Sequence, residues 1–257
     1  MLVKVTRTAL PSAKELYLFD TTGHLEIRGM LDAAAVKYCR EQVLALPSRV
    51  MPGRGDKRRF DDIISTVPAL GELARSHEVR QLVTPLINQP YRVIESYALL
   101  RDKHSVFYLH NGFSELVRYG SPPSAVRNTS YGHTYHDGKL YCNFIKVLFY
   151  LSDQHSDADG PFCFLQGSHK ANLPWFSEAE LDDDKPELSK ENFPSLETLY
   201  ASAGDMIIIN EALLHGTLPK TTDGQRLVLA ISYAPAYVAD WKAIDLMSDD
   251  ITKLGHY

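Results

Sequence analysis

The residues best suited to chemistry lie in the segment Gly204–Thr217 and just after it. A Gly-Asp pair is followed by the apolar run Met206–Asn210 and then by a short segment that ends in His215-Gly216. A neutral imidazole is a good metal ligand, and its second ring nitrogen requires a hydrogen-bond partner that orients it. Arg226, eleven residues after His215, begins another apolar run. Because a guanidinium binds a flat carboxylate through two parallel hydrogen bonds, these residues could hold a metal and an organic acid.

A second motif lies upstream, at Asp159–Lys170. An Asp-Gly-Pro turn precedes an apolar strand, which is followed by Gly-Ser-His-Lys. Taken in order, these motifs resemble the phytanoyl-CoA dioxygenase family of iron(II)- and 2-oxoglutarate-dependent oxygenases. That family shows Gly-Pro before a strand, then Pro-Gly-Ser/Thr-His-Lys, Gly-Asp, His-Gly and Arg. Gln166 replaces the usual proline, and the resemblance extends from about Tyr17 to Pro235.

The resemblance implies a mainly β fold with a helical cap, namely a double-stranded β-helix (a cupin-like jelly roll) with N-terminal helices. It implies that His215 is an iron ligand, that Arg226 anchors 2-oxoglutarate with Thr217 as a further candidate contact, and that molecular oxygen is a co-substrate. Non-heme iron enzymes of this type bind the metal with two imidazoles and a carboxylate on one face.

The first iron ligand has several candidates. The family pattern His-x-Asp is expected shortly before the strand that leads to the Gly-Pro turn, and His136 occupies that place. His110 and His133 are alternatives. Both His136-Asp137-Gly138 and His110-Asn111-Gly112 carry glycine where the carboxylate is expected.

The missing carboxylate is similar to the signature of the iron/2-oxoglutarate halogenases, in which chloride fills the open iron position. Gly138 is therefore a candidate halide site. Asp137, Glu115 or Glu211 could supply a carboxylate instead, although Asp137 and His136 would point to opposite sides of an extended chain. We therefore predict chlorination of an unactivated C–H bond. Hydroxylation is the alternative, followed by a barrel without 2-oxoglutarate chemistry, either a cupin-type metal enzyme or a non-catalytic binding module.

The substrate is expected to be a small molecule. Lys146 lies within an apolar strand, and an interior lysine would need a partner such as an anionic substrate. Tyr97 and Trp175 are further candidates that could line an apolar pocket, although core packing is the default interpretation for both.

The elements that must position these residues follow a clear order. Helices are predicted from caps at Ser12 and Asp32 and over 69–75 and 77–84. From Tyr91 onward the sequence pattern predicts strands instead of helices. The predicted strands are 91–100, 106–110, 141–151, 161–165, 206–210 and 227–234. We expect one domain over residues 1–257, with mostly helical support over 1–90 and the β-helix core over 91–240.

Composition limits the possible functions. The formal net charge of −5 does not favour a protein that binds nucleic acid polymers. The cysteines Cys39, Cys142 and Cys163 match neither a disulfide framework nor a zinc spacing. No apolar run has the length of a signal peptide or a membrane span, so a cytoplasmic protein that does not interact with membranes is expected.

Overall fold

The computed structural model describes residues 10–110, 117–119, 124–126, 133–171 and 186–236. In these residues the helices are α1 (Ala13–Thr22), α2 (Ala33–Leu44), α3 (Ile63–Thr66), α4 (Pro68–Ala74) and α5 (His77–Ile87). The strands are β1 (His24–Ile27), β2 (Arg49–Val50), β3 (Lys57–Asp61), β4 (Tyr91–Arg101), β5 (Phe107–His110), β6 (Val117–Tyr119), β7 (Ser124–Val126), β8 (His133–His136), β9 (Lys139–Cys142), β10 (Ile145–Tyr150), β11 (Phe162–Leu165), β12 (Leu196–Leu199), β13 (Met206–Asn210), β14 (His215–Thr217) and β15 (Arg226–Pro235).

Two antiparallel sheets form the barrel. The large sheet has the order β1-β13-β10-β15-β4-β3-β2, and the small sheet has the order β12-β11-β14-β5. Along the chain from β4 to β15, the barrel strands alternate between the two sheets, except that β11 and β12 follow each other within the small sheet. This is the topology of a double-stranded β-helix, and the predicted fold class is confirmed.

The central strands of the large sheet are buried on both faces, which explains their continuous apolar character. In β10, Ile145, Val147 and Phe149 belong to the core shared with the helices. Leu148 and Tyr150 belong to a second core between the sheets. Since successive side chains of a strand alternate, Lys146 has the same orientation as Leu148 and faces the barrel interior.

The helices cover the outer face of the large sheet. Helix α1 begins with a capping box, in which Ser12 accepts from the Glu15 amide and the Glu15 carboxylate accepts from the Ser12 amide. Asp32 caps α2 by accepting from the Ala35 amide. Buried apolar residues of α1, α2, α4 and α5 join one core with those of the large sheet.

The structure differs from the sequence expectations at several points. The predicted strand 141–151 is two strands, β9 and β10, and β2 and β3, within the mostly helical first 90 residues, also join the large sheet. Pro85, expected to end a helix, lies within α5, which continues to Ile87 before Asn88 caps it in a left-handed conformation. Among the described residues, no helix is long and apolar enough to cross a membrane.

Candidate active site

Two histidines from neighbouring strands of the small sheet meet inside the barrel. His110 ends β5 and His215 begins β14, and the two residues are paired across the antiparallel ladder. Their ring centroids are 4.5 Å apart. His215 is 6 % exposed, and its ring also stacks on Phe162 with a centroid distance of 5.4 Å. The fold therefore brings together two imidazoles that are more than a hundred residues apart in sequence.

Both imidazoles are held in the same tautomer. The Nδ1 of His110 lies 2.7 Å from the Tyr108 carbonyl, and the Nδ1 of His215 lies 2.7 Å from the Leu213 carbonyl. Because a carbonyl can only accept, each Nδ1 carries the proton and donates it, and each Nε2 carries a lone pair. This arrangement is typical of metal-binding histidines.

Electrostatics keeps His215 neutral. Burial is the main cause that lowers its pKa well below the usual value, and the positive charges of His110 (when protonated) and Lys146 act in the same direction. The hydrogen bond to the Leu213 carbonyl opposes this shift only in part. A neutral imidazole is the form that binds a metal.

Gly216, the residue after His215, is required to be glycine for a steric reason. A Cβ at Gly216 would lie 2.5 Å from the carbonyl oxygen of Phe107 and 3.0 Å from the carbonyl carbon of Tyr108. Only glycine therefore lets β14 approach β5 this closely, and this approach is what sets His215 beside His110.

The Gly-Ser-His-Lys motif also supports His215. Ser168 Oγ accepts a hydrogen bond of 2.8 Å from the amide of Leu214, the residue before His215. His169 and Lys170 bind Asp20 near the end of α1, the former through the Asp20 carbonyl and the latter through its carboxylate. This turn fastens the start of β14 to the helical layer.

Arg226 lies at the first position of β15 and shares the interior orientation of Val228 and Ala230. It is 5 % exposed, and its guanidinium carbon lies 5.9 Å from the Tyr150 ring centroid. Within the described residues its Nε has no hydrogen-bond partner. Burial lowers the pKa of Arg226, and the nearby Tyr150 opposes this shift.

In the sequence, Thr217 lies between His215 and Arg226. It shares a strand face with His215, and its Oγ1 accepts from the Phe107 amide at 3.0 Å. The hydroxyl hydrogen can still be donated to another acceptor. Arg101, which is paired with Arg226 in the sheet, donates to the carbonyl of Leu218 at 3.1 Å. That contact places Arg226 at the Thr217 end of β14.

Arg101 is a structural residue that sequence reasoning did not distinguish from surface bases. It is fully buried, and it donates to the carbonyls of Gly160, Ser105 and Leu218 and to the Ser105 hydroxyl. Its guanidinium joins three loops of the barrel end. The general signal is the fixed fork of five N–H donors, but the sequence does not show where the carbonyls will lie.

Lys146, a substrate candidate, already has an anionic partner. Its Nζ lies 2.7 Å from Glu211 Oε1, and both side chains are at least nine-tenths buried. Nζ also lies 5.6 Å from the ring centroid of Tyr97, the second candidate, which is 8 % exposed and lines the inter-sheet core. The expectation that Lys146 awaits an anionic substrate therefore does not fit its surroundings, because Glu211 supplies the negative charge.

The other predicted ligands lie on the β8–β9 hairpin. His136 is 57 % exposed on its side chain and stacks on Tyr141 at a centroid distance of 4.1 Å. Asp137 and Gly138 form the exposed turn, and a Cβ at Gly138 would meet nothing within 4 Å. His133 belongs to β8, but its side chain lies outside the described residues. The structure therefore pairs His215 with His110, whereas the sequence spacing ranks His136 first.

The part of the chain that the structure describes supplies no third protein ligand beside the two histidines. Among the described residues, no group of three or more His, Cys, Asp or Glu side chains is arranged to hold a metal ion. Asn111, Gly112, Glu115 and the substrate candidate Trp175 lie outside the described residues.

Comparisons with known proteins agree with this architecture. The model of the family "Phytanoyl-CoA dioxygenase (PhyH)" matches residues 19–228. A crystal structure of HygX from Streptomyces hygroscopicus with nickel, 2-oxoglutarate and hygromycin B bound is 41 % identical, with 90 % of each chain covered and a TM-score of 0.81. HygX with iron bound is 39 % identical over 90 % of each chain, with a TM-score of 0.78.

A more distant structure shares the fold alone. The 2-oxoglutarate-dependent epimerase SnoN from nogalamycin biosynthesis is 19 % identical, with 87 % of this chain and 82 % of SnoN covered and a TM-score of 0.64. The search of curated protein sequences gave no match. The chain belongs to the phytanoyl-CoA dioxygenase family. It is an enzyme of the iron/2-oxoglutarate-dependent oxygenase type, as the sequence predicted.

Proposed function

We propose that this enzyme uses iron(II), 2-oxoglutarate and molecular oxygen to hydroxylate, or otherwise oxidise, a C–H position of a small molecule. His110 and His215 hold the iron. Arg226 binds the distal carboxylate of 2-oxoglutarate, and Thr217 donates to the same group. The observation that carries the proposal is the pair of facing imidazoles, both fixed by carbonyls in the tautomer that presents Nε2.

The residues fit the two groups that the family implies. Two imidazoles on adjacent strands are suitable nitrogen donors for iron(II). The buried Nε of Arg226, which lacks a hydrogen-bond partner among the described residues, suits a carboxylate that would compensate the guanidinium charge. His215 and Thr217 are two residues apart on one strand face, or about 6–7 Å. The carbon chain of 2-oxoglutarate can bridge that span.

Each residue has a defined task. Bound iron with 2-oxoglutarate and oxygen supplies the oxidising power for C–H cleavage. His110 and His215 orient this centre toward the barrel interior, because their Nδ1 protons are fixed on carbonyls. Arg226 and Thr217 orient the co-substrate at the end of the barrel where the Arg101 guanidinium joins three loops. The apolar side chains of the inter-sheet core, including Phe162 beside His215, exclude water from this region.

The relative of 41 % identity supports a proposal for the substrate class. HygX has been crystallised with hygromycin B, nickel and 2-oxoglutarate bound. We infer that this enzyme acts on a hydroxyl-rich small molecule of related type. The neutralised Lys146–Glu211 pair supports a polar substrate rather than a strongly anionic one.

Chlorination is the second candidate for the same centre. His110-Asn111-Gly112 retains the His-x-Gly pattern that favours it, and the described residues supply no third ligand. Gly138, the halide candidate, lies on the exposed turn of the β8–β9 hairpin, and this position argues against its role at the iron. Any halide site would therefore lie beside His110.

The test measures iron-dependent succinate release from 2-oxoglutarate. His110→Ala and His215→Ala should each lower turnover at least a hundredfold, since each removes an iron ligand. His136→Ala and the exposed His155→Ala should retain it. Loss of turnover in His136→Ala with retention in His110→Ala would overturn the ligand assignment.

The same assay separates the two reactions when product mass is read with and without chloride. A product heavier by one oxygen in both conditions supports hydroxylation, and a chloride-dependent chlorinated product supports the second candidate. Failure of iron and 2-oxoglutarate to yield succinate with any substrate would refute the proposed function itself.

A further inference from the structure

A buried carboxylate lies four residues before His215. Glu211 is at the turn between β13 and β14, where its amide donates to the Phe144 carbonyl at 3.1 Å. It continues the interior-facing series of Ile207 and Ile209, so its side chain enters the barrel. Its side chain is 5 % exposed. Glu211 was named from the sequence only as one source of a missing iron ligand.

The two oxygens of this carboxylate differ. Oε1 accepts a hydrogen bond of 2.7 Å from Lys146. Oε2 is buried, and within the described residues it has no hydrogen-bond partner. A buried acceptor without a donor loses the hydrogen bonds that water would supply, and the cost is larger for a charged group. Oε2 is thus a position at which a bound donor would gain much.

Lys146 holds the carboxylate of Glu211 in place through their hydrogen bond. Burial alone would lower the pKa of Lys146, but the carboxylate of Glu211, with smaller contributions from Tyr97 and Glu95, raises it above its usual value. Nζ also lies 5.6 and 5.7 Å from the ring centroids of Tyr97 and Phe144, where aromatic faces attract a cation. Lys146 therefore has several partners, whereas Glu211 has one oxygen, Oε2, that can still accept a hydrogen bond.

The Tyr97 ring, which lies beside the Lys146–Glu211 pair, makes a further contact with an arginine that is itself paired with carboxylates. The Arg59 guanidinium lies 3.7 Å from the centroid of the Tyr97 ring, and it is held by Glu95 at 2.6 Å and by Asp61. Glu211 is four residues before His215, and Lys146 is paired with Ser232, which is six residues along β15 from Arg226. The spare oxygen thus lies near the reacting centre, on the side away from Arg226.

We propose that Glu211 is a specificity-determining residue, whose Oε2 accepts a hydrogen bond from a hydroxyl group of the substrate and so selects hydroxyl-bearing molecules. A hydroxyl donor satisfies the oxygen without adding net charge to a site where Lys146 has already neutralised Glu211. The inference rests on the proposed function, because it places the substrate beside His110 and His215.

Binding is measured first, independently of turnover. The full chain loaded with nickel and 2-oxoglutarate is screened by thermal shift against hygromycin B, other aminoglycosides, aminocyclitols and simple sugars, with aromatic and fatty acids that lack hydroxyl groups as comparison. Hydroxylated compounds should bind. Binding of only the compounds without hydroxyl groups, or of none, would overturn the proposal.

Glu211→Gln is then compared with Glu197→Gln by calorimetric titration of the best ligand. Glu197 forms an exposed pair with Lys190 at 3.2 Å, so the same chemical change is made in a surface Lys–Glu pair. Glu211→Gln should raise Kd about tenfold or more, and Glu197→Gln should leave it within about twofold. Equal Kd values for wild type and Glu211→Gln would mean that Oε2 is satisfied by water or by another part of the chain.

Two controls complete the test. If Glu211→Gln unfolds because Lys146 loses its charge partner, the double variant Lys146→Met/Glu211→Leu replaces the pair with apolar side chains and should fold but bind at least tenfold more weakly. An N-acetylated ligand separates hydroxyl from ammonium. If N-acetylation removes the penalty of Glu211→Gln, an ammonium is the donor and the hydroxyl assignment is wrong. If the wild-type enzyme binds the ligand but releases no succinate, the result contradicts the proposed function and not the binding role of Glu211.

Discussion

Two buried arginines lie opposite each other on β4 and β15, and they differ in one respect. Arg101 is fully buried and donates to three backbone carbonyls and a hydroxyl. Arg226 is 5 % exposed, and within the described part of the chain its Nε has no partner. At paired positions of one sheet, every guanidinium nitrogen of Arg101 therefore has a hydrogen-bond partner, whereas the Nε of Arg226 has none among the described residues.

The difference separates stability from binding. A buried group whose hydrogen bonds are made within the chain contributes to the folded state, and its removal leaves the partners unsatisfied. A buried group with unused donors costs free energy until a ligand supplies the acceptors. Arg101 accordingly belongs to the frame of the barrel, and we propose that Arg226 belongs to the candidate site.

The largest effect is expected for Arg101→Met. This change removes the side-chain donor from the buried carbonyls of Gly160 and Leu218, whereas the Ser105 carbonyl keeps the amide of Lys220. The free energy of unfolding should therefore fall by about 3–5 kcal/mol. Urea denaturation followed by circular dichroism measures the change. A loss below about 1 kcal/mol would show that water replaces the guanidinium and would remove the contrast between the two arginines.

Arg226→Ala should change binding more than stability. We expect the Kd of 2-oxoglutarate to rise about a hundredfold, or about 3 kcal/mol, since a two-point contact to a carboxylate is lost. Arg226→Lys should recover only part of the affinity, because an ammonium lacks the planar fork. Titration of the nickel-loaded protein measures both. A variant that binds 2-oxoglutarate normally but unfolds easily would assign Arg226 to the frame instead.

Asp205 extends the comparison to a carboxylate. Its oxygens accept from the amides of Gly29 and Ser202 and from Arg28. Burial would raise the pKa of Asp205, but these donors together lower it below 3.8. Asp205→Asn should cost about 1–2 kcal/mol at neutral pH.

The pH dependence of this variant provides a sharper test. Because the folded-state pKa is depressed, the stabilisation by Asp205 is fully present above the unfolded-state value and is lost as pH falls through the folded-state value. The difference between wild type and Asp205→Asn should be constant above about pH 4 and should narrow below it. Thermal unfolding from pH 7 to pH 3 measures this, and a gap that widens in acid would contradict the assignment.

The smallest effect is expected at the β8–β9 hairpin, where the turn residues are exposed and have no proposed role in ligand binding. Gly138→Asp adds the carboxylate that a His-x-Asp motif would have, in an open turn at φ 75°. Aspartate tolerates this conformation better than most residues, so the cost should stay below about 1 kcal/mol. Turnover and chloride dependence should not change. A switch from chlorinated to hydroxylated product would return Gly138 to the iron site.

The fold was predictable where local pattern and burial agree. The apolar runs at β10, β13 and β15, the caps at Ser12 and Asp32, and the ordered turn motifs identified the jelly roll. Strand β3 was missed because Lys57, Arg58 and Arg59 mask its alternation, although Lys57 is buried. The predicted strand 141–151 was too long, because the chain leaves the hairpin after Cys142 and enters the large sheet at Ile145.

The candidate site was predictable only in part. His215 and Arg226 follow from ordered motifs, whereas the neighbour of His215 depends on the register between β14 and β5, which local sequence does not encode. Spacing therefore favoured His136. The roles of Arg101 and Glu211 depend on which partners other segments bring to them, and those partners come from distant parts of the chain.

The pairing of β4 with β15 also bears on how the chain acquires its structure during synthesis. Arg101 reaches a carbonyl 117 residues later in sequence, at Leu218. Strand β4 can pair with β3 soon after both leave the ribosome, but its other edge stays open until β15 arrives. Such non-local closure is slow, and an open apolar edge can recruit other chains. Slower growth at low temperature, or a chaperone that shields this edge, should therefore raise the yield of folded enzyme.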